Sequence, residues 1–509
     1  MVSCGGFGAS DGEQGTPAEN AQPPSAVDGK PIPGIYVSAS KGDDGGSGSP
    51  VRPLKTLRAA FALAKQQGLR VLACAETYEE NVEVVDGVSA YGYFDCNADP
   101  WKQVTERRAK VKAPVSPALV AQGIKLPTRL EGFEIIAPNL DAAPAAAPEL
   151  GTSVAASIGK STGLAFGQMT FRAGNGAPGG PGSPPAANNV ESGSPRGSAS
   201  VAQVQMECLL VSCGRYNGAA GGTSQCATGP NGGPGGMGGD GMWATQFPCT
   251  EPTGFVVAGR PLVATATTAV GGAFGGGGTG SPGANGPNGD RGLWTLDPET
   301  GAFIPGDGAT GAIGAPGQGG GGGRGSNCWS SNSTCATCFS YAPFKTATGG
   351  GGGAGGCGGT PGTGGKGGGA SIGVLMMSSD IIFTDTLVYS ARGGAAGKGG
   401  EGLEGLVGGL GGADTRAHPP PAGLPDRGSG APGGNGGKGG TGGFGGHGAA
   451  GPSIAFLVHG KRPDSPTQTL HLLAGSGGEG QPAITRSTPT GPATLPEAPA
   501  GQSIPLREF

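Results

Sequence analysis

The chain has 509 residues, of which 113 are glycine and 45 proline, and a net charge of −4. That much glycine excludes a helical protein, because each interior glycine costs about 1 kcal/mol relative to alanine. The charge leaves no basic footprint for nucleic acid, and no apolar run reaches the roughly 20 residues needed to span a bilayer. Composition alone fits low complexity, but the large apolar residues are gathered in short strand-like units.

In chain order, Met-Val-Ser-Cys4-Gly-Gly resembles the end of a bacterial lipoprotein signal peptide, without the charged and apolar regions that precede such a site. Cys4 is read either as a lipidation site or as an ordinary buried or disulfide-bonded cysteine. Residues 1–33 have almost no large apolar side chain and are expected to form a flexible tether.

From Gly34 the pattern changes. A strand at Ile35-Tyr36-Val37 and a Gly/Asp loop lead to Leu54-Lys55-Thr56-Leu57 and a helix over Arg58–Gln67 that Gly68 ends. Strands are expected at 70–73, 82–85 and 88–91. Tyr36, Val37, Pro53, Lys55, Thr56, Leu57, Ala59, Tyr78, Glu80 and Val82 resemble the entry segment of right-handed parallel β-helix proteins of the pectin-lyase-like superfamily. Ala75-Glu76-Thr77 departs from the usual glycine before the tyrosine. The resemblance implies a helix capping the first coil, where an open end would expose strand edges. It implies no activity, because sites are grafted onto folds. Asp43 and Asp44 suit a polar turn or a calcium ion. Glu76, Glu79, Glu80 and Glu83 are expected on a solvated face.

A repeated register follows. In Ile381-x-Phe383-x-x-Thr386-x-Val388-x-Ser390, two period-2 pairs flank a two-residue step, which suits two strands joined at a corner. Good copies start at Leu164 and Val204, and weaker ones at Thr128 and Ser465. Upstream lie Ser153-Val154-Ala155, Ser200-Val201-Ala202, Ser371-Ile372-Gly373 and Ser453-Ile454-Ala455. Three short strands per repeat predict an all-β fold: a right-handed parallel β-helix, a single-stranded solenoid with an N-terminal capping helix.

Each unit runs straight into small residues, so the loops are expected to leave from one side, the longest from Arg215 to Gly369. Gly433–Gly448 and Gly349–Gly369 repeat Gly-Gly-X. That period suits either flexible chain or packed polyproline-II-type helices, polyglycine-II-like, with X on one ridge and two bare faces. Glycine tracts and β-helix entry together resemble the glycine-rich bacterial surface proteins of the PGRS family. The triplets are expected to be separable from the strands, so that deleting Lys438–Gly446 leaves the strands standing.

Eleven cysteines point to an oxidising compartment: Cys4, then Cys74, Cys96, Cys208, Cys213, Cys226, Cys249, Cys328, Cys335, Cys338 and Cys357 as disulfide candidates. The alternative for Cys328, Cys335, Cys338 and Cys357 is zinc, or redox chemistry at the CxxC. Acidic residues near the strands are Glu134, Glu207, Asp380 and Asp385; with Arg392, Asp380 and Asp385 form the one group that resembles a site. No catalytic residue, cofactor or resident metal is assigned. The reading is a tether over 1–33, a cap and first coils over 34–137, coils with glycine-rich insertions over 138–480, and a Pro-rich tail over 481–509. The expected function is a non-catalytic exported scaffold, extracellular or anchored at the outer membrane through lipid, displaying its loops for structural, adhesive or protective roles. Polysaccharide or other surface components are its expected partners. The alternative is a carbohydrate-binding or carbohydrate-degrading protein.

Overall fold

The structure, a computed structural model, describes residues 17–24, 31–141, 151–188, 191–192, 196, 202–204, 218–237, 276–323, 345–347, 349–413, 431–460, 469–488 and 490–509. It is all-β, dominated by three parallel sheets. Sheet I holds Ile35–Val37, Val71–Cys74, Ala90–Asp95, Thr128–Glu131, Leu164–Gly167 and Ile382–Thr384, with Lys102–Gln103 joined antiparallel to the third. Sheet II holds Thr77–Tyr78, Ala109–Lys112, Phe133–Ile136, Thr170–Arg172, Thr386–Tyr389 and Leu470–Leu473. Sheet III holds Val82–Glu83, Leu119–Gln122, Ser153–Gly159, Ser371–Met377, Ser453–His459 and Ser503–Glu508. From Val71 to His459 the strands of these sheets follow one cyclic order, I to II to III, after which Leu470–Leu473 adds to sheet II and Ser503–Glu508 to sheet III.

Residue-on-residue register makes the core. On sheet I, Leu130 pairs with Phe166 and Phe166 with Phe383. On sheet II, Val111, Ile135, Phe171, Val388 and Leu472 form one ladder. On sheet III, Ile158, Met376 and Val458 form another. These side chains share one hydrophobic cluster, in which Phe383 stacks on Phe166 at 5.5 Å and meets Phe456 edge-on at 5.5 Å.

The corners have a physical cause. Between sheets I and II the chain turns through one residue in the left-handed region: Gly132 (φ 77°), Gln168 (φ 48°) and Asp385 (φ 46°) in successive repeats. The III-to-I corner does the same at Gly123, Lys160, Ser378 and Gly460. Beside it, Ser379 Oγ accepts from Ser161 N–H and Ser161 Oγ accepts from Ile124 N–H, so hydroxyls link successive repeats.

Sheet III is apolar on both faces. Ile372, Leu375, Ile454 and Leu457 point away from the shared core and are covered by Leu296 and Phe303 of a hairpin within the long excursion. Continuous apolar runs such as Val374-Leu375-Met376 signal such two-sided burial.

The helix Leu57–Gln67 is fastened at its N-terminus by three side chains. Thr56 Oγ1 accepts from Ala59 N–H, and the Glu80 carboxylate accepts from Leu57 and Arg58 N–H. Asp44 accepts from Lys55 N–H, Thr56 N–H and the Thr56 hydroxyl. Burial opposes ionisation of Asp44, but those bonds outweigh it and hold its pKa below the usual range. Asp44 is thus committed to the turn. Glu76 and Glu80 also correct the expectation of a solvated face: Glu76 accepts from the Ser38 and Ser40 hydroxyls and from Ser40 N–H. Part of the expected tether lies on sheet I, where Arg70 donates to the Gln22 and Glu19 carbonyls and Tyr91 to that of Gln22.

Of the copy starting at Val204 only Val204 itself is described, and it lies outside the three sheets. Ala202–Val204 pairs antiparallel with Lys345–Ala347, and Ser153–Gly159 stacks directly on Ser371–Met377. The rest of that copy lies outside the described residues.

Phe383→Ala should lower unfolding free energy by about 3–5 kcal/mol through a cavity beneath two rings, and Thr56→Ala by about 1 kcal/mol through loss of the cap. Denaturant melts check both; equal small losses would contradict the shared core.

Candidate functional site

All long excursions leave between a sheet II strand and the next sheet III strand. The serines that open the sheet III strands fasten these exits. Gly174 N–H donates to Ser153 Oγ, Ser371 Oγ donates to the Gly174 carbonyl, and Ala391 N–H donates to Ser371 Oγ. Ser453 Oγ donates in turn to the Ala391 carbonyl. The Ser-Ile/Val motif is therefore the seam between strands and excursions.

Beyond the seam the excursions form one bundle. Its tracts run over 174–187, 276–292, 306–323, 349–369, 392–412 and 431–451, with shorter pieces at 218–237, 475–481 and 498–501. They join by backbone hydrogen bonds at every third residue. Gly353, Gly356, Gly359 and Gly362 donate to the carbonyls of Gly434, Gly437, Gly440 and Gly443, a parallel pair. Gly436, Gly439 and Gly442 donate to Gly409, Leu406 and Leu403, an antiparallel pair. Gly437, Gly440 and Gly443 donate to Gln318, Ala315 and Ala312, while the 276–292 tract donates into 431–451 from Gly277 to Gly292. The 431–451 tract thus has four long neighbours, and both glycines of each triplet donate, in different directions. The Lys438–Gly446 segment lies at the bundle's centre, which overturns its reading as a dispensable loop.

Only glycine permits this spacing. A Cβ built at Gly358 would lie 1.7 Å from the Gly314 carbonyl oxygen, and one at Gly439 would lie 2.0 Å from that of Cys357. Real Cβ atoms never approach so closely, so alanine would push the tracts apart and break the hydrogen bonds on that side. The third residue of each triplet carries the chemistry. Lys366 pairs with Asp307 at 2.7 Å and Lys438 with Glu404 at 2.5 Å.

Among the described residues two disulfides are present. Cys74–Cys96 closes 22 residues beside the first strands, and Cys226–Cys357 closes 131 and fastens the 218–237 piece to the 349–369 tract. In the chain-entropy view such loops give about 3 and 5 kcal/mol. Cys357 is therefore not available to a zinc set with Cys328, Cys335 and Cys338. Glu76 lies close to the sulfurs of Cys74 and Cys96, but these are bonded to one another. Cys4, Cys208, Cys213, Cys249, Cys328, Cys335 and Cys338 lie outside the described residues, as does Glu207.

The expected acidic group is not brought together. Asp380 follows the III-to-I corner, Asp385 is the I-to-II corner, and Arg392 sits at the seam. Arg392 reaches Glu479 at 3.3 Å and Asp141 at 3.6 Å. Glu134 lies on the outer face of sheet II between Arg172 (2.7 Å) and Lys110 (3.4 Å). Burial alone would raise its pKa, but the Arg172 bond and the two cations outweigh burial and hold it low. Sequence reasoning missed the burial of Thr441, Phe444 and His447, third-position residues of the central tract, beneath a C-terminal hairpin; the run of strand-formers after Ile484 was its one signal.

Gly358→Ala should lower the melting temperature sharply, by more than about 3 kcal/mol in free energy, whereas Val407→Ala, at a side chain 74% exposed, should be silent. Thermal melts of the two variants check the packing, and equal tolerance would refute it.

Comparison with protein-family models, curated proteins and solved structures finds no match to this chain.

Proposed function

We propose that the three sheets close into a right-handed parallel β-helix, that the glycine tracts are polyglycine-II helices packed side by side, and that the protein is an exported, non-catalytic surface scaffold. The first element is supported by the cyclic visiting order and the parallel register, and the second by hydrogen bonds at every third residue, the period of that helix. The single observation that carries the functional reading is the bundle itself. A backbone whose donors and acceptors are turned to neighbouring tracts offers a protease no extended strand to bind, which suits a protective or load-bearing layer. Export is supported by the Cys74–Cys96 and Cys226–Cys357 bridges, and no helix among the described residues is long and apolar enough to cross a membrane. Lipid attachment at Cys4 and kinship with PGRS-type surface proteins complete the proposal.

A second reading, binding of surface polysaccharide, is favoured by one feature. On sheet II, Lys112, Ile136, Arg172, Tyr389 and Leu473 form an outward column, with the Arg172 guanidinium 4.2 Å from the Tyr389 ring centroid. Such an aromatic and basic surface suits an anionic glycan.

The test is surface proteolysis of intact cells expressing the protein from its natural gene, joined to a polysaccharide panel offered to the purified, oxidised protein. Expected are surface recovery of a protease-resistant bundle, blocked thiols at the four bridged cysteines, and no degradation of any polysaccharide. Sugar release, or recovery with those four thiols free in the cytoplasm, would overturn the proposal.

A further inference from the structure

The C-terminal hairpin lies over the central glycine tract. Ile484–Thr488 pairs antiparallel with Gly491–Leu495. It is tied to the 276–292 tract by Asn285 Nδ2 donating to Thr488 Oγ1 and Asn288 Nδ2 to the Thr494 carbonyl. On the other side Arg486 donates to the Gly402 carbonyl, and Gln481 to that of Ala396. Beneath lie Thr441, Phe444 and His447, all buried. The hairpin itself buries little: of its strands only Leu495 is buried, and most of the rest is half or fully exposed. A cover with few apolar contacts belongs to the low-stability end of a structure.

His447 is wholly inaccessible to solvent. Its Nδ1 accepts a 3.0 Å hydrogen bond from Gly399 N–H, which only a neutral ring can do. The remaining proton is therefore on Nε2, which faces the Pro482 carbonyl without a hydrogen bond of regular geometry. Thr441 Oγ1, two triplets earlier under the same hairpin, is also buried without a partner. Protonating the ring would turn its one acceptor into a donor aimed at the Gly399 N–H and bury a cation.

We propose that the hairpin 484–495 is an acid-released strap: protonation of His447 opens it and uncovers the central glycine tract with its Thr441–Phe444–His447 stripe. Burial, and secondarily the charge of Lys398, hold the His447 pKa below the usual range, while the Pro482 carbonyl works the other way. The surrounding elements carry Asp290 and Arg291 on the 276–292 tract, Asp307 with Lys366, Lys398 with Glu401, and Arg486 on the hairpin. No carboxylate hydrogen-bonds the ring, so nothing there compensates a positive charge. The sign follows. The closed form has the lower pKa, so closure is fully favoured above the open-form value near 6.5 and weakens as pH falls from there toward the closed-form value.

The test is hydrogen–deuterium exchange of 484–495 in the full chain at pH 7.5 and pH 5, corrected for intrinsic rates, in the wild type and in His447→Gln. Glutamine keeps an acceptor for Gly399 N–H and does not titrate. Wild-type protection should fall at pH 5, by at most about thirtyfold for an open-form value near 6.5, while His447→Gln should hold constant protection. Unchanged wild-type protection, or an equal fall in both proteins, would overturn the proposal. If His447→Gln fails to fold, NMR titration of the wild-type ring decides: a pKa at or above about 6.5 refutes the strap, and a depressed one coincident with loss of hairpin protection supports it.

Discussion

Contact between bare backbones is the interaction on which this molecule depends. At most glycines of the bundle the space where a Cβ would stand is occupied by a carbonyl oxygen of the next tract, as at Gly358 against Gly314. That proximity lets both amides of a triplet reach acceptors in different directions. Each bond contributes only about 1 kcal/mol net, and ordering glycine is costly, at roughly 1–2 kcal/mol per residue. The bundle therefore needs nearly all its donors and acceptors satisfied together, and the tract at 431–451, with neighbours on four sides, is where that condition is best met.

The strands supply what the glycines lack. A tract with two glycines in every three residues has little apolar surface to specify its partners, so its alignment must be set elsewhere. Ser153, Ser371 and Ser453 do this at the seam, fixing where each excursion starts relative to the repeat beneath it. The returning arms then stack as the sheet III strands do, Gly369 on Gly151 and Gly451 on Gly369. Register won by burying Phe166, Phe383 and Phe456 is in this way handed on to residues that bury almost nothing.

The strand repeats were legible because period-2 pairs with a fixed corner leave a visible mark: Leu164, Phe166, Phe383 and Val388 all stand where their spacing predicts. The corner itself was legible only as a length; that it runs through a left-handed Gln168 or Asp385 follows from geometry that residue type does not reveal. Ala202–Val204, at the start of the Val204 copy, takes an antiparallel partner in Lys345–Ala347, since alternation says which face a residue takes but not which strand lies beside it. The glycine period announced three residues per turn, yet the choice between flexible and packed chain depended on tracts hundreds of residues apart. Cys226 and Cys357 were both named, but only the assembled bundle pairs them. Glu76 and Glu80 read as surface charge because the helix end and loop that they serve are brought in by the fold.

The three-residue repeat also imposes a frame on how the gene can change. Where hydrogen bonds recur at every third residue, removing one residue shifts every later position off its partner, a rotation of about 120° if the tracts are the proposed polyglycine-II helices. Side chains such as Lys438 or Phe444 would then swing into slots that admit only hydrogen. Length can vary freely only in steps of three residues, nine nucleotides at a time, and a change in one arm must be matched in the arms alongside. The tracts should therefore lengthen and shorten by whole triplets, as the teeth of a ratchet do, while loops outside the bundle vary by single residues.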